Sequence, residues 1–210
     1  SLRMSGEQKF KEGDELAQTV VTDNAKELLF FTNRCQVYKA RVNDFKETKA
    51  SALGDYVAST LGMDEGESVV YMVLPGDYRG WMLFFFENGK VARVELSAYQ
   101  TTSNRRKLTG AYSDKAPAVA FFHPIEEESE ITMFSTANRA LTFRASMLDV
   151  KTTRSTQGVQ TMVLRGKHTI TRACRTEDAA LSEREDARQL GADNLSLARR
   201  FVIRFTHLGW

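Results

Sequence analysis

The phrase LLFFTNRCQVYKARVNDF at residues 28–45 returns along the chain, and this recurrence constrains the fold more than any other feature of the sequence. From Met82 the chain reads MLFFFENGKVARVELSAY, from Thr132 TMFSTANRALTFRASML, and from Val202 VIRFTHLG. Aligned on their first residues, the copies start 54, 50 and 70 residues apart. A second motif precedes each one: LAQTVVTD from Leu16, SVVYMVLPGD from Ser68, AVAFFHPIE from Ala118 and HTITRACRTED from His168. The longer last interval is accounted for by AALSEREDARQLGADNLSLARR, which is rich in helix formers and charge.

Within each copy the pattern is strand, short polar turn, strand. Val20, Phe30, Val37, Val42, Tyr71, Phe84, Val91 and Leu96 are the β-branched, aromatic and aliphatic residues that suit a pleated, half-buried surface. Gly89 of ENGK can take the positive φ of a tight hairpin without penalty, and Cys35 and Arg139 fall in the same slot. Each repeat therefore reads as a small sheet of four strands, and four such sheets around an axis make an all-β, propeller-like domain. The expected repeats are 14–60, 66–110, 114–158 and 159–210 of a single domain over 1–210, with a short helical insertion at 179–198 in the last. That last copy stops just past its turn, and residues 1–4 are the candidate strand to close it and remove a free edge.

Composition fits a globular domain: 42% apolar and 27% charged residues. No apolar run approaches the roughly 18–20 residues of a membrane helix. The N-terminal SLRMSGEQKFKEGDE has no apolar core of the kind a signal peptide needs. Cys35 and Cys174 are too few for a disulfide framework or a zinc site, as a reducing cytoplasm would allow. His123, His168 and His207 are far apart and lack metal-ligand spacing, and no phosphate-cradling glycine loop occurs. The net charge of +2 is uneven: residues 1–99 carry 12 basic and 15 acidic side chains, residues 100–175 carry 12 and 6. A polyanionic partner would favour the second stretch.

Cations recur after the turns: Lys39 and Arg41, Lys90 and Arg93, then Arg144. Strand alternation puts Lys39 and Arg41 on one face. Arg105, Arg106, Lys107, Lys151 and Arg154 add loop charge. Repeated around a curved rim, such pairs would meet phosphates along a duplex and give affinity with little sequence preference.

These motifs resemble the C-terminal repeat domain of bacterial type IIA topoisomerase A subunits, the family that includes the A subunits of DNA gyrase and of topoisomerase IV. LLFFTNRCQVYKARV is similar to the family's apolar strand, "FTN" turn and basic strand, and KASALGDYVASTLGMDEGESV to its linker between first and second blades. KTTRSTQGVQTMVLRGKHTI is similar to a later segment of the family, and SLRMSGEQKFKEGDEL to the opening seen in Gram-positive topoisomerase IV. The resemblance implies a β-pinwheel whose blades exchange strands, an accessory domain that binds and bends the transported duplex along its outer rim. It implies double-stranded DNA, the breakage-reunion domain from the same polypeptide and the topoisomerase B subunit as partners, at the bacterial nucleoid in the cytoplasm, with no membrane. It implies no cofactor here, ATP and magnesium belonging to the rest of the holoenzyme. SGEQKFKEGDEL lacks the basic, glycine-rich box of the gyrase branch, which points to the topoisomerase IV branch. The alternative is a protein-interaction propeller without a nucleic-acid role, using apolar and aromatic loop residues. A catalytic propeller ranks third, as no carboxylate pair or activated nucleophile marks a site.

Overall fold

The computed structural model describes Gln18 and residues 26–46, 55–102, 105–123 and 125–179. The proposed closing strand at 1–4, the motif from Leu16 apart from Gln18, the fourth phrase from Val202 and nearly all of the insertion at 179–198 lie outside the described residues.

Three copies of the phrase form three antiparallel hairpins: β1 (Glu27–Thr32) with β2 (Gln36–Arg41), β4 (Trp81–Phe86) with β5 (Lys90–Glu95), and β8 (Glu130–Ser135) with β9 (Ala140–Arg144). Each turn places a residue at positive φ to start the second strand: Cys35 at 53°, Gly89 at 80° and Asn138 at 54°. The third slot was expected at Arg139. The hairpin registers pair Leu83 with Arg93 and Thr132 with Thr142, so the third copy is offset from the second by 49 residues and Asn138 fills the slot. Asparagine tolerates this conformation better than arginine does.

The sheets are cut differently from the sequence repeats. The motif that precedes each phrase pairs with the hairpin of the phrase before it. β3 (Val69–Val73) lies along β1, β7 (Ala118–Phe122) along β4, and β12 (Ile170–Arg175) along β8. The far side of each hairpin takes a strand from further on: β6 (Lys107–Thr109) along β2, and β10 (Val150–Lys151) and β11 (Val159–Gln160) along β5. No repeat is a sheet of its own, because each blade edge is satisfied by backbone from a later repeat. The sheets run β3-β1-β2-β6, then β10-β5-β4-β7 with β11 also on β5, then β12-β8-β9.

β3, β7 and β12 adjoin one another and define the axial side. The Tyr71 ring of β3 stacks on Phe121 of β7 at 5.8 Å, and its hydroxyl donates to the His123 carbonyl at 2.9 Å. β7 also packs beside β12. β6, β10 and β11 are therefore the outer edges.

Neighbouring sheets face each other across apolar seams. Leu29, Phe31 and Val37 of the first blade pack against Met82, Phe84, Phe86, Ala92 and Val94 of the second. Leu83, Phe85 and Val91, on the second blade's other face, pack against Ile131, Met133 and Phe143 of the third. Phe84, Phe85 and Phe86 are all at most 1% exposed, so a central strand that is apolar at every position fits a sheet covered on both sides. Each such side chain contributes about 1.5–3 kcal/mol. A short helix, α1 (Val57–Leu61), ending at Gly62 with φ 63°, lays Val57 and Leu61 over Phe30 and Tyr38 on the first blade's outward face.

Two glycines let the outer strands of the second blade dock. A Cβ on Gly158, at φ 73°, would lie 2.1 Å from the Val91 carbonyl oxygen, and one on Gly89 would lie 2.1 Å from that of Met162. Gly158→Ala should therefore lift β11 from β5, with a loss of about 2 kcal/mol or more. Hydrogen exchange would show the amides of Thr161 and Met162, which donate to Gly89, losing protection while the β1–β2 hairpin keeps its own. Unchanged protection would show that the strands part without cost.

Candidate nucleic-acid interface

Because the blades cover each other's faces, the fate of each anticipated cation depends on its place in the hairpin. Three equivalent positions follow from the registers. The first is the start of the first strand (Glu27, Trp81, Glu130), and the second is the middle of the second strand (Lys39, Arg93, Thr142). The third is the end of the second strand (Arg41, Glu95, Arg144), directly opposite the first. All three lie on the face that looks toward the next blade, because side chains two apart share a face.

The middle position is interior. Arg93 was expected on the outer rim; its side chain is 3% exposed and sits in the seam between the second and third blades. It donates to the carbonyls of Ala145 (3.3 Å) and Leu148 (3.0 Å), pairs with Glu127 at 3.0 Å, and lies 3.8 Å from the Trp81 ring centroid. Lys39 is likewise 10% exposed, its Nζ 3.0 Å from both Glu27 and Thr101, with the Tyr78 ring beside it. Alternation does put Lys39 and Arg41 on one face. That face is a seam, which only the strand end escapes. In the third blade Thr142 replaces the cation and bonds Thr132 at 2.8 Å.

The other anticipated residues divide by partner. Lys107 pairs with Asp64 at 2.8 Å and lies over Tyr38; the Asp64 carboxylate holds its ammonium up at about 12 and is itself held below the usual carboxylate range by Lys107. Lys90 bonds Gln157, and Lys151 pairs with Asp149 at 3.6 Å. Arg154 donates to the carbonyls of Ala98 and Thr109, tying the second blade's outer loop to the first blade's edge. Arg144, 58% exposed, is flanked by Glu128 at 3.5 Å and Glu130 at 3.8 Å.

Arg41, Arg105 and Arg106 remain. All three are exposed, and among the described residues none has an acidic partner. They lie together: the Lys39 N–H donates to the Arg106 carbonyl at 2.7 Å, so Arg106 sits opposite Lys39 and Arg105 leads back toward the end of β2, where Arg41 stands. The Arg41 N–H donates to Asp44 at 2.9 Å, an interaction of its backbone. Lys26, not anticipated from the sequence, adds a fourth exposed cation, its carbonyl accepting from the Val42 N–H at 3.2 Å. Arg165 and Lys167, also not anticipated, are exposed in the loop before β12. The second blade has no such corner, since Glu95 takes the place of Arg41.

Other chemistry finds no footing. The described residues contain no group of three His, Cys, Asp or Glu side chains arranged for a metal ion. No described helix is long and apolar enough to cross a membrane. His123 is packed at the axial side with Nδ1 3.0 Å from the Trp81 carbonyl, and burial lowers its pKa.

Three seamed, strand-exchanging sheets with basic outer edges define a β-pinwheel, a propeller variant. The model of the DNA gyrase C-terminal domain, beta-propeller, matches residues 26–74 and 129–173. These stretches hold β1, β2 and β3 of the first blade and β8, β9 and β12 of the third. The DNA gyrase A protein of Mycoplasma pneumoniae is 26% identical over 87 residues, 41% of this chain and 10% of that protein. Among solved structures, the C-terminal domain of DNA topoisomerase IV superposes over 82% of this chain and 54% of that one, with a TM-score of 0.70 at 23% identity. The E. coli ParC C-terminal domain gives 0.57 at 12% identity, over 72% of this chain and 62% of that one. The DNA gyrase A C-terminal domain gives 0.51 at 15%, over 75% and 50%. The chain belongs with the C-terminal β-pinwheel repeat domains of type IIA topoisomerase A subunits.

The interior and exterior cations should separate in stability measurements. Arg93→Met leaves two carbonyls without a donor and should cost about 2–3 kcal/mol in denaturant unfolding. Arg105→Ala should stay within about 0.5 kcal/mol. Equal effects would contradict the placement of Arg93 in the seam.

Proposed function

We propose that this domain holds duplex DNA for a type IIA topoisomerase through phosphate contacts centred on Arg41, Arg105 and Arg106. The observation that carries the reading is that these exposed guanidiniums share one corner and face no carboxylate among the described residues. Unpaired arginines are suited to phosphate oxygens, and such contacts carry little sequence information. The domain would be an accessory piece that presents a transported segment to the breakage-reunion domain from the same polypeptide. The topoisomerase B subunit would be its further partner, in the bacterial cytoplasm at the nucleoid. ATP and magnesium would act in those other parts, with no cofactor here.

The absence of a basic, glycine-rich box from SGEQKFKEGDEL supports a topoisomerase IV-like rather than a gyrase-like protein. Bending is part of the proposal and needs more than this corner. Curving a 20–30 bp site costs about 1–6 kcal/mol, and Lys90, Lys151 and Arg154 on the second blade would have to share the phosphates.

The test is binding of a labelled linear duplex across a salt series, with bending read by end-to-end energy transfer. Three arginine contacts predict a slope of log affinity against log salt of about −2.7, at roughly −0.9 per phosphate. Reversing Arg41, Arg105 and Arg106 to Glu should abolish binding at about 50 mM salt without unfolding the domain. If the wild-type domain is folded and does not bind at that salt, the DNA reading fails and a protein partner replaces it.

A further inference from the structure

We infer that Lys39, a seam residue that does not reach the surface, is a positioning residue for phosphate binding. By holding Glu27 it leaves Arg41 open. The inference rests on the DNA reading above and explains why two equivalent arginines differ.

Arg41 and Arg144 occupy the same hairpin position, and each stands opposite a glutamate, Glu27 and Glu130 respectively. Register alone would make both into cross-strand ion pairs. Only Arg144 is paired, with Glu130 at 3.8 Å and Glu128 at 3.5 Å. In the first blade the Glu27 carboxylate turns instead to the Lys39 ammonium at 3.0 Å and to the Tyr78 hydroxyl. Both partners bind Oε1, so the carboxylate is drawn toward the seam.

The residue in the middle of the second strand accounts for the difference. Lys39 stands two residues before Arg41 on the same face and, at 10% exposure, depends on charge compensation from its surroundings. Glu27 supplies it. Thr142, the equivalent in the third blade, is neutral and satisfied by Thr132, so nothing draws Glu130 away from Arg144. The second blade carries a cation at this position too, but Trp81 replaces the glutamate and Glu95 the rim arginine. Of the three described hairpins, the first alone combines an interior cation, an opposing glutamate and a strand-end arginine.

The experiment compares the folded wild-type domain with Lys39→Met, Glu27→Gln and the Lys39→Met/Glu27→Gln double variant on one duplex across a salt series. Thermal melting is run alongside. Lys39→Met frees Glu27 to pair with Arg41, so the magnitude of the salt slope should fall by about 0.9, one phosphate's worth. The double variant lacks both charges of the pair, and its slope should return to the wild-type value even though its melting temperature does not. That recovery is what a merely structural role for Lys39 would not produce. If Lys39→Met leaves the slope unchanged while Arg41→Gln reduces it, the inference is overturned and the DNA reading stands. If the double variant fails to recover, Lys39 acts through folding and the inference is likewise overturned. Absence of wild-type binding removes both.

Discussion

A sheet in this fold has no free face. Each blade's two surfaces are pressed against neighbours or covered by connecting segments, and solvent reaches chiefly the outer edges and the strand ends. Burial of Phe84, Phe85 and Phe86 on alternate sides of one strand is the clearest expression of this constraint. Any charge the repeat carries in mid-strand is consequently forced into a seam, where it must find carbonyls, a carboxylate or an aromatic face. Arg93 finds all three, in Ala145 and Leu148, Glu127 and Trp81.

The seams then set the electrostatics of the rim. Glu27 compensates an interior cation and neutralises no rim charge, whereas Glu128 and Glu130 are spent on a rim arginine. Near-neutral overall charge is thus compatible with one strongly basic corner, because acids and bases are paired unevenly among the blades. Cations on outer strands have a second use, since charged edges discourage pairing with another sheet. Lys107 and Lys151 fit that use as well as any phosphate role, being held by Asp64 and Asp149.

The repeat, the hairpins and the all-β class were legible because apolar runs and turns repeat in order, and a covered sheet permits little else. Strand exchange between sheets was not readable from the motifs, which show that SVVYMV and AVAFF are strands but not which hairpin each joins. Arg93 was misplaced for a related reason. Period two assigns a face correctly, but which face meets water depends on the neighbouring blade. The arginine and glutamate pairs could have been found: once the turn is fixed, positions 27 and 41, or 130 and 144, must oppose each other. Fixing the third turn needed the choice of Asn138 over Arg139, which left-handed propensity favours.

Repeats of one phrase can therefore diverge in function without any change of fold. Exchanging a mid-strand lysine for threonine, as between Lys39 and Thr142, leaves the hairpin register intact and alters only which carboxylate is free to turn outward. Exchanging the strand-end arginine for glutamate, as between Arg41 and Glu95, reverses the charge offered at the rim. The seam-facing positions tolerate such exchanges because each blade answers them with a different partner: a carboxylate and a phenol for Lys39, an indole and two carbonyls for Arg93, hydroxyls for Thr142. A ring built this way can concentrate its affinity for a polyanion in one blade while the others serve to hold that blade in place.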